Sequence, residues 1–541
     1  MASVLNDDRP HPEPGSDAPP PHPAMPAEPI DPAADPTPPA PDATTDPLAA
    51  PLVPDRPPPP PLSRAVTLLA ALVVLVGVWV LATPGSLESR LAGVRDPERA
   101  LAIVVGRTMD LHEAIGRTPA WRRWIYVALG FEGADDAGQA RQWYDELASV
   151  SLDSRVDMHL AILEAETGRR HAVRRRVAEW AKREEPLPSL ASLLADAYLV
   201  PAADGGTPAA FPGDVLHEWL LEDWFRDRLT LALAARLGEP AVAAAARARL
   251  EARGNRLLAR LTVLVAITLL IGAIGIVATI VVAIRIRRRR DAVRAGTAAI
   301  PPPWSGSRGA AVLLRGGALG TLIGAALLLV LVFALPWLSV RGWEEAAEKL
   351  LEFGTGLLLV VPALMLARRH LFRPSGVTAV DALGLRVVPG GASRIVLVVV
   401  AVAGVVSVGD VAFGLITDAA GATGHWTEWF QPDLVFGDAR DVAMALAGAV
   451  VLAPVTEELL FRGLLFASLR RRLAWPIAAV MSAVAFAVLH GYGLQGFASV
   501  MWSGLVWAWA FERTGSLWPA VIGHALGNLS ASALVLVALR G

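Results

Sequence analysis

The chain has 541 residues, 54% of them hydrophobic and only 18% charged, with a formal net charge of -2 at pH 7. Long apolar runs create that average, which assigns the chain to the integral membrane class, and the near-neutral charge gives no sign of a nucleic-acid partner. With no cysteine, disulfides, thiolate zinc sites and cysteine nucleophiles are excluded, so any catalysis must use carboxylates, imidazoles or hydroxyls.

Residues 1–62 are dense in proline, ending in Pro57 to Pro61, and offer almost no apolar periodicity to offset ordering entropy. They predict a disordered cytoplasmic tail. A polar stretch ahead of the first apolar segment fits an uncleaved signal anchor over 63–84 better than a cleaved signal peptide.

A helix needs about 20 apolar residues to cross a roughly 30 Å hydrocarbon core. On that ruler the chain predicts an all-α, polytopic bundle of about nine spans, near 65–83, 261–284, 317–338, 350–367, 395–416, 441–465, 475–490, 497–511 and 518–538. Arg285 and Arg287 to Arg290 follow the second span, Arg368, Arg369 and Arg373 the fourth, and Arg470 to Arg472 the sixth. Basic residues stay on the cytoplasmic side, so even-numbered spans end inside and the N-terminus is cytoplasmic. The expected location is the cell (inner) membrane.

Between the first two spans, residues 85–258 have the size of one ordinary domain and are expected outside the cytoplasm. Apolar residues at helical spacing around Trp143 and from Met158 to Trp180 predict helices, with Ala140 and Ala172 in similar places. A tetratricopeptide-like module that binds a protein partner is one reading, and a helical domain that packs on the membrane part is the other. A transmembrane helix over 259–285 precedes 286–316, a basic run followed by Pro301 to Pro303, which reads as a cytoplasmic linker and topology signal, with contact to anionic lipid as the alternative. Spans three to five with their loops fill 317–440, and the last four spans form 441–541.

That last block carries the chemistry. Glu457 and Glu458 are adjacent inside an otherwise apolar span, where charge must be compensated. Glu458 and Arg462 are four apart on one helix face, with the acid N-terminal to the base in the favourable order. Glu457 lies about 100° around the helix and needs another partner. His490 ends the following span, about as far from the intervening turn as Glu457 is, so antiparallel helices place the two at similar depth. His524 and Asn528 share a face of the last span at i and i+4. His524 is only about ten residues from its own turn, so the acidic hairpin must reach about 10 Å further toward the cytoplasm for the groups to meet.

At these residues the sequence resembles the CAAX-processing and bacteriocin-processing (Abi) family of intramembrane proteases, which includes the type II CAAX prenyl endopeptidases. The family's Glu-Glu-x-x-x-Arg, Phe-x-x-x-His and His-x-x-x-Asn motifs match Glu457-Glu458 with Arg462, Phe486 with His490, and His524 with Asn528. The resemblance spans roughly residues 440–538 and implies a helical intramembrane endopeptidase acting on a membrane-associated protein or peptide. In the roles it implies, Glu457 is the general base, His490 orients the same water, His524 and Asn528 donate to the oxyanion, and Glu458 with Arg462 holds the helix in register.

This mechanism requires no cofactor. The alternative is a single zinc ion held by Glu457 or Glu458, His490 and His524, since one glutamate and two histidines form a recognised ligand set; a His-Glu-x-x-His signature is lacking. Asp410, the other acid within a span, is expected near the outer surface. Two other classes of function are a non-catalytic scaffold or bacteriocin-immunity-like protein on the same frame, and a transporter whose buried charges line a path.

Overall fold

The computed structural model describes residues 62–82, 90–91, 93–129, 131, 135–200, 211–333, 343–422 and 424–540. The proline-rich tail expected over 1–62 lies, apart from Leu62, outside the described residues. Among the described residues all extended regular structure is helical, with one isolated bridge between Gly296 and Val387.

In chain order the principal helices are α1 (Arg64–Ala82), α2 (Pro97–Gly116), α3 (Asp136–Ala148), α4 (Ser154–Glu166), α5 (Arg170–Trp180), α6 (Leu187–Tyr198) and α7 (Trp224–Leu237). They continue as α8 (Pro240–Arg288), α9 (Gly306–Phe333), α10 (Trp343–Ala367) and α11 (Gly391–Ala419). The last four are α12 (Ala439–Arg470), α13 (Trp475–Val488), α14 (Leu494–Thr514) and α15 (Trp518–Leu539). Over the described residues, each of the nine apolar stretches read from the sequence falls on one of these helices, and residues 83 and 334–338 lie outside them. Among the described residues five helices are long and apolar enough to cross a membrane, namely α8, α9 from Gly306 to Val330, α11, α12 and α15, while Arg64–Val80 and Trp475–Val488 are apolar but shorter.

Four of the six helices α2 to α7 start on a side-chain cap. Asp96, Asp135, Asp153 and Asp223 each cap a helix N-terminus with a side-chain oxygen, and Gly238 in the left-handed region ends α7. Their apolar faces share one core that contains Leu101, Tyr144, Leu160, Trp180 and Phe225. The same core takes in Trp426, Phe430 and Leu434 from the segment after α11, and Val535 and Leu539 from α15. This helical region therefore shares its core with the apolar bundle.

Within the bundle, α8 lies directly along α11. A Cβ on Gly275 would sit 2.3 Å from the Cα of Gly404, so glycine at both positions permits backbone contact where no water is available to drive apolar burial. Arg315 of α9 donates to Ser63 O at 2.6 Å and to Thr67 Oγ1 at 3.1 Å, which ties down the start of α1. The stretch 293–298, read from sequence as part of a linker, is packed: Val293, Ala295 and Ala298 are buried. Its N–H groups at Ala295 and Gly296 donate to Thr514 O, and that of Ala298 donates to Gly515 O.

Candidate active site

Helix α12 does not keep one register. Gly448–Leu452 and Leu459–Phe466 are π-helical, flanking the α-helical turn Ala453–Glu458 that bears both glutamates. Pro454 supplies a local reason. It has no N–H, and its ring would clash with the carbonyl four residues back, so the wider π turn before it relieves the strain. The second π stretch is supported from α13, whose Ser482 hydroxyl donates to Phe461 O at 3.1 Å.

The expected pair forms. Arg462 Nη1 donates to Glu458 Oε1 at 2.6 Å, with both side chains fully buried. The guanidinium lies over the rings of Phe486, 4.5 Å to the centroid, and Trp507, 5.1 Å, so its charge is also faced by aromatic quadrupoles. Gly504 makes room for it, because a Cβ there would lie 2.9 Å from Arg462 Nη2.

His524 joins the two glutamates. Its Nδ1 is 3.0 Å from Glu458 Oε1, and its Nε2 is 3.7 Å from Glu457 Oε2. The imidazole stacks on Trp507 at 4.2 Å between centroids and 16° between planes. Thus the acidic helix and the last helix do meet, as the motif residues required. Glu457 Oε2 is buried and accepts no hydrogen bond from protein, as is Glu458 Oε2.

His490 follows the end of α13 and lies against the Phe486 ring. Among the described residues no hydrogen bond joins it to Glu457; its Nδ1 lies 2.8 Å from Phe486 O, one turn back on its own helix. Phe486 is the common neighbour, with its ring 4.7 Å from His490 and 5.8 Å from His524. Tyr492 lies 5.5 Å from His490 on the other side. Asn528 Nδ2 donates to Ala449 O in the first π stretch at 2.7 Å. One of its two N–H donors is committed there and the second is uncommitted.

Trp507, Tyr492, Phe486 as a packing ring, and Ala449 as a carbonyl partner were not singled out by motif spacing. Aromatics in an apolar helix carry no sequence signal that separates a site neighbour from core. Asp410 of α11, set aside in the sequence, accepts a hydrogen bond from Ser499 of α14. Among the described residues no three of His, Asp and Glu gather as a metal-ligand group.

Glu457, Glu458, Arg462 and His524 thus gather among apolar helices, with His490 against the same Phe486 ring as His524. Residues 439–530 match the family model described as type II CAAX prenyl endopeptidase Rce1-like, a match that supports membership of the CPBP/CAAX protease family. The match points to intramembrane CAAX protease activity, and it contains all six candidate residues. Comparison with curated proteins and with solved structures returns no match.

Proposed function

We propose that the chain is an intramembrane endopeptidase that hydrolyses a peptide bond of a membrane-associated protein or peptide with a glutamate-activated water. The observation that carries this reading is Glu457 Oε2, a buried carboxylate oxygen without a protein donor, 3.7 Å from His524 Nε2. A buried acceptor with no protein partner has capacity for a water or substrate proton. Glu457 is the base; His490, its Nδ1 engaged by Phe486 O, offers Nε2 to orient the water. His524 and the second N–H of Asn528 donate to the oxyanion as it forms. Glu458, sharing one oxygen between Arg462 and His524, fixes both helices.

The reaction needs no cofactor. The nine apolar helices all cross the cell membrane, the N-terminus and Arg470 to Arg472 are cytoplasmic, and α2 to α7 form an extracytoplasmic domain that is open to a protein partner. The test is comparative membrane proteomics of cells carrying wild type or Glu457→Gln, in search of a peptide that only wild type cuts. Identical peptide sets at equal expression would overturn the assignment.

A further inference from the structure

The segment between α11 and α12 lies outside the matched family region, yet it holds the turn that follows His490. His425 to Glu428 form one 3-10 turn closed by a reciprocal capping box, in which Glu428 Oε1 accepts the N–H of His425 at 3.4 Å. The other carboxylate oxygen of Glu428 reaches across to accept the N–H of Gly493 at 3.0 Å. Glycine is what lets the carboxylate approach, since a Cβ on Gly493 would lie 3.0 Å from Oε1.

Only Gly491 and Tyr492 separate Gly493 from His490. Gly491 has φ +65°, a left-handed conformation that turns the chain directly after the imidazole. Tyr492 then lies against the His490 ring. Phe486 meets His490 with both its carbonyl and its ring, and the remaining contact, Tyr492, stands on the turn that Glu428 ties down.

The segment that carries Glu428 is itself anchored on both sides. Gln495 Oε1 accepts the N–H of Gly424 at 3.1 Å. His425 Nε2 lies 3.1 Å from Glu146 Oε2 on α3, and its ring meets Trp143 edge-on at 6.1 Å. Trp426 and Phe430 are buried in the core shared with α2 to α7. We propose that Glu428 is a positioning residue for His490, held in place by the helical region through Glu146 and His425. This rests on His490 belonging to the reactive site.

A capping box that merely stabilises a loop would change the yield of folded protein, not turnover per folded molecule. The experiment uses full-length Glu428→Ala and Glu428→Gln in detergent, assayed on a peptide that wild type cuts and Glu457→Gln does not. Hydrogen exchange is followed in parallel over Gly491 to Gly493. Glu428→Ala should lower kcat by about 10²-fold, the scale of a small misplacement of a reacting group, with KM little changed. Its turn amides should exchange faster while those of α13 do not. Glu428→Gln, which keeps an oxygen for Gly493, should recover most of the turnover and the protection. Unchanged kcat in Glu428→Ala, unchanged exchange in the turn, or equal loss in both variants would overturn the proposal. If Glu457→Gln spares no peptide, the reading of the site fails instead, and exchange still decides whether Glu428 holds the turn.

Discussion

Asn528 Nδ2 donates to Ala449 O at 2.7 Å because the helix leaves that oxygen without a partner. The N–H of Ala453 turns back five residues to Gly448 O, and Pro454, next in line, has no N–H. Asn528 thus replaces a missing backbone donor, and its other N–H is the one proposed to donate to the oxyanion. Asn528→Ala should cost on two accounts, about 1 kcal/mol for a part-buried hydrogen bond lost and about 10²- to 10³-fold in turnover for a lost oxyanion donor. Thermal unfolding in detergent and kcat on a cleaved peptide separate the two. Loss of stability with unchanged kcat would leave Asn528 a structural donor only.

Arg462 and Glu458 are both fully buried, and Glu458 also holds His524. Removing only the cation by Arg462→Met should destabilise by about 3 to 5 kcal/mol, because it strands a carboxylate away from water. Glu458→Gln with Arg462→Met should recover much of that loss without restoring cleavage. A single variant as stable as wild type in a thermal melt would contradict the pairing.

His159 sits among Tyr144 and Phe225, 5.7 and 4.5 Å between ring centroids, with no hydrogen bond to either ring nitrogen. Burial lowers its pKa to about 3. The unfolded chain takes up its proton near the ordinary value of about 6.5, before the folded chain does. For this group, stability is therefore full above about pH 6.5 and falls as pH drops toward 3. Limited proteolysis of the helical region from pH 7 to pH 4 should show growing cleavage, and His159→Phe should remove that part of the dependence. An equal acid response in the variant would assign it elsewhere.

Glutamate catalysis makes its nucleophile without a bound ion. Purified protein should keep its activity after chelation and carry less than one zinc per chain. Activity abolished by chelation and restored by one zinc equivalent would move Glu457 or Glu458, His490 and His524 into ligand roles.

The orientation inferred from the arginine bias is checked with reporter fusions. Fusions at Ala40 and Asp204 should report opposite sides of the membrane. Reporters at both positions on the cytoplasmic side would overturn the proposed crossing map.

Much of the helix pattern is legible in the sequence, because apolar runs and flanking arginines are local properties. The Glu458–Arg462 pair is legible for the same reason, as i and i+4 on one helix share a face. Contacts between helices are not. Spacing along α15 places His524 and Asn528 together but does not say that His524 bridges the two glutamates, or that Asn528 turns to Ala449. The π stretches on both sides of Glu457 shift the rotational phase of α12, so a count at 3.6 residues per turn loses its bearing across them. The depth match of Glu457 with His490 rests on equal rise in α12 and α13, and the π register of α12 breaks that assumption. Glu428 carries no motif at all; only the folded chain brings it to Gly493.

The docking of Ala295, Gly296 and Ala298 against Thr514 O and Gly515 O has a bearing on how this protein can be dissected. Those two carbonyls sit in the corner from which α15 departs with His524, and their donors come from a stretch more than two hundred residues upstream. An excised fragment confined to 439–530 would strand both oxygens and also cut α15 before Val535 and Leu539 reach their core. Two separately produced halves, divided ahead of Val293, should reassemble more readily than any minimal piece cut to the borders of the motif-bearing stretch.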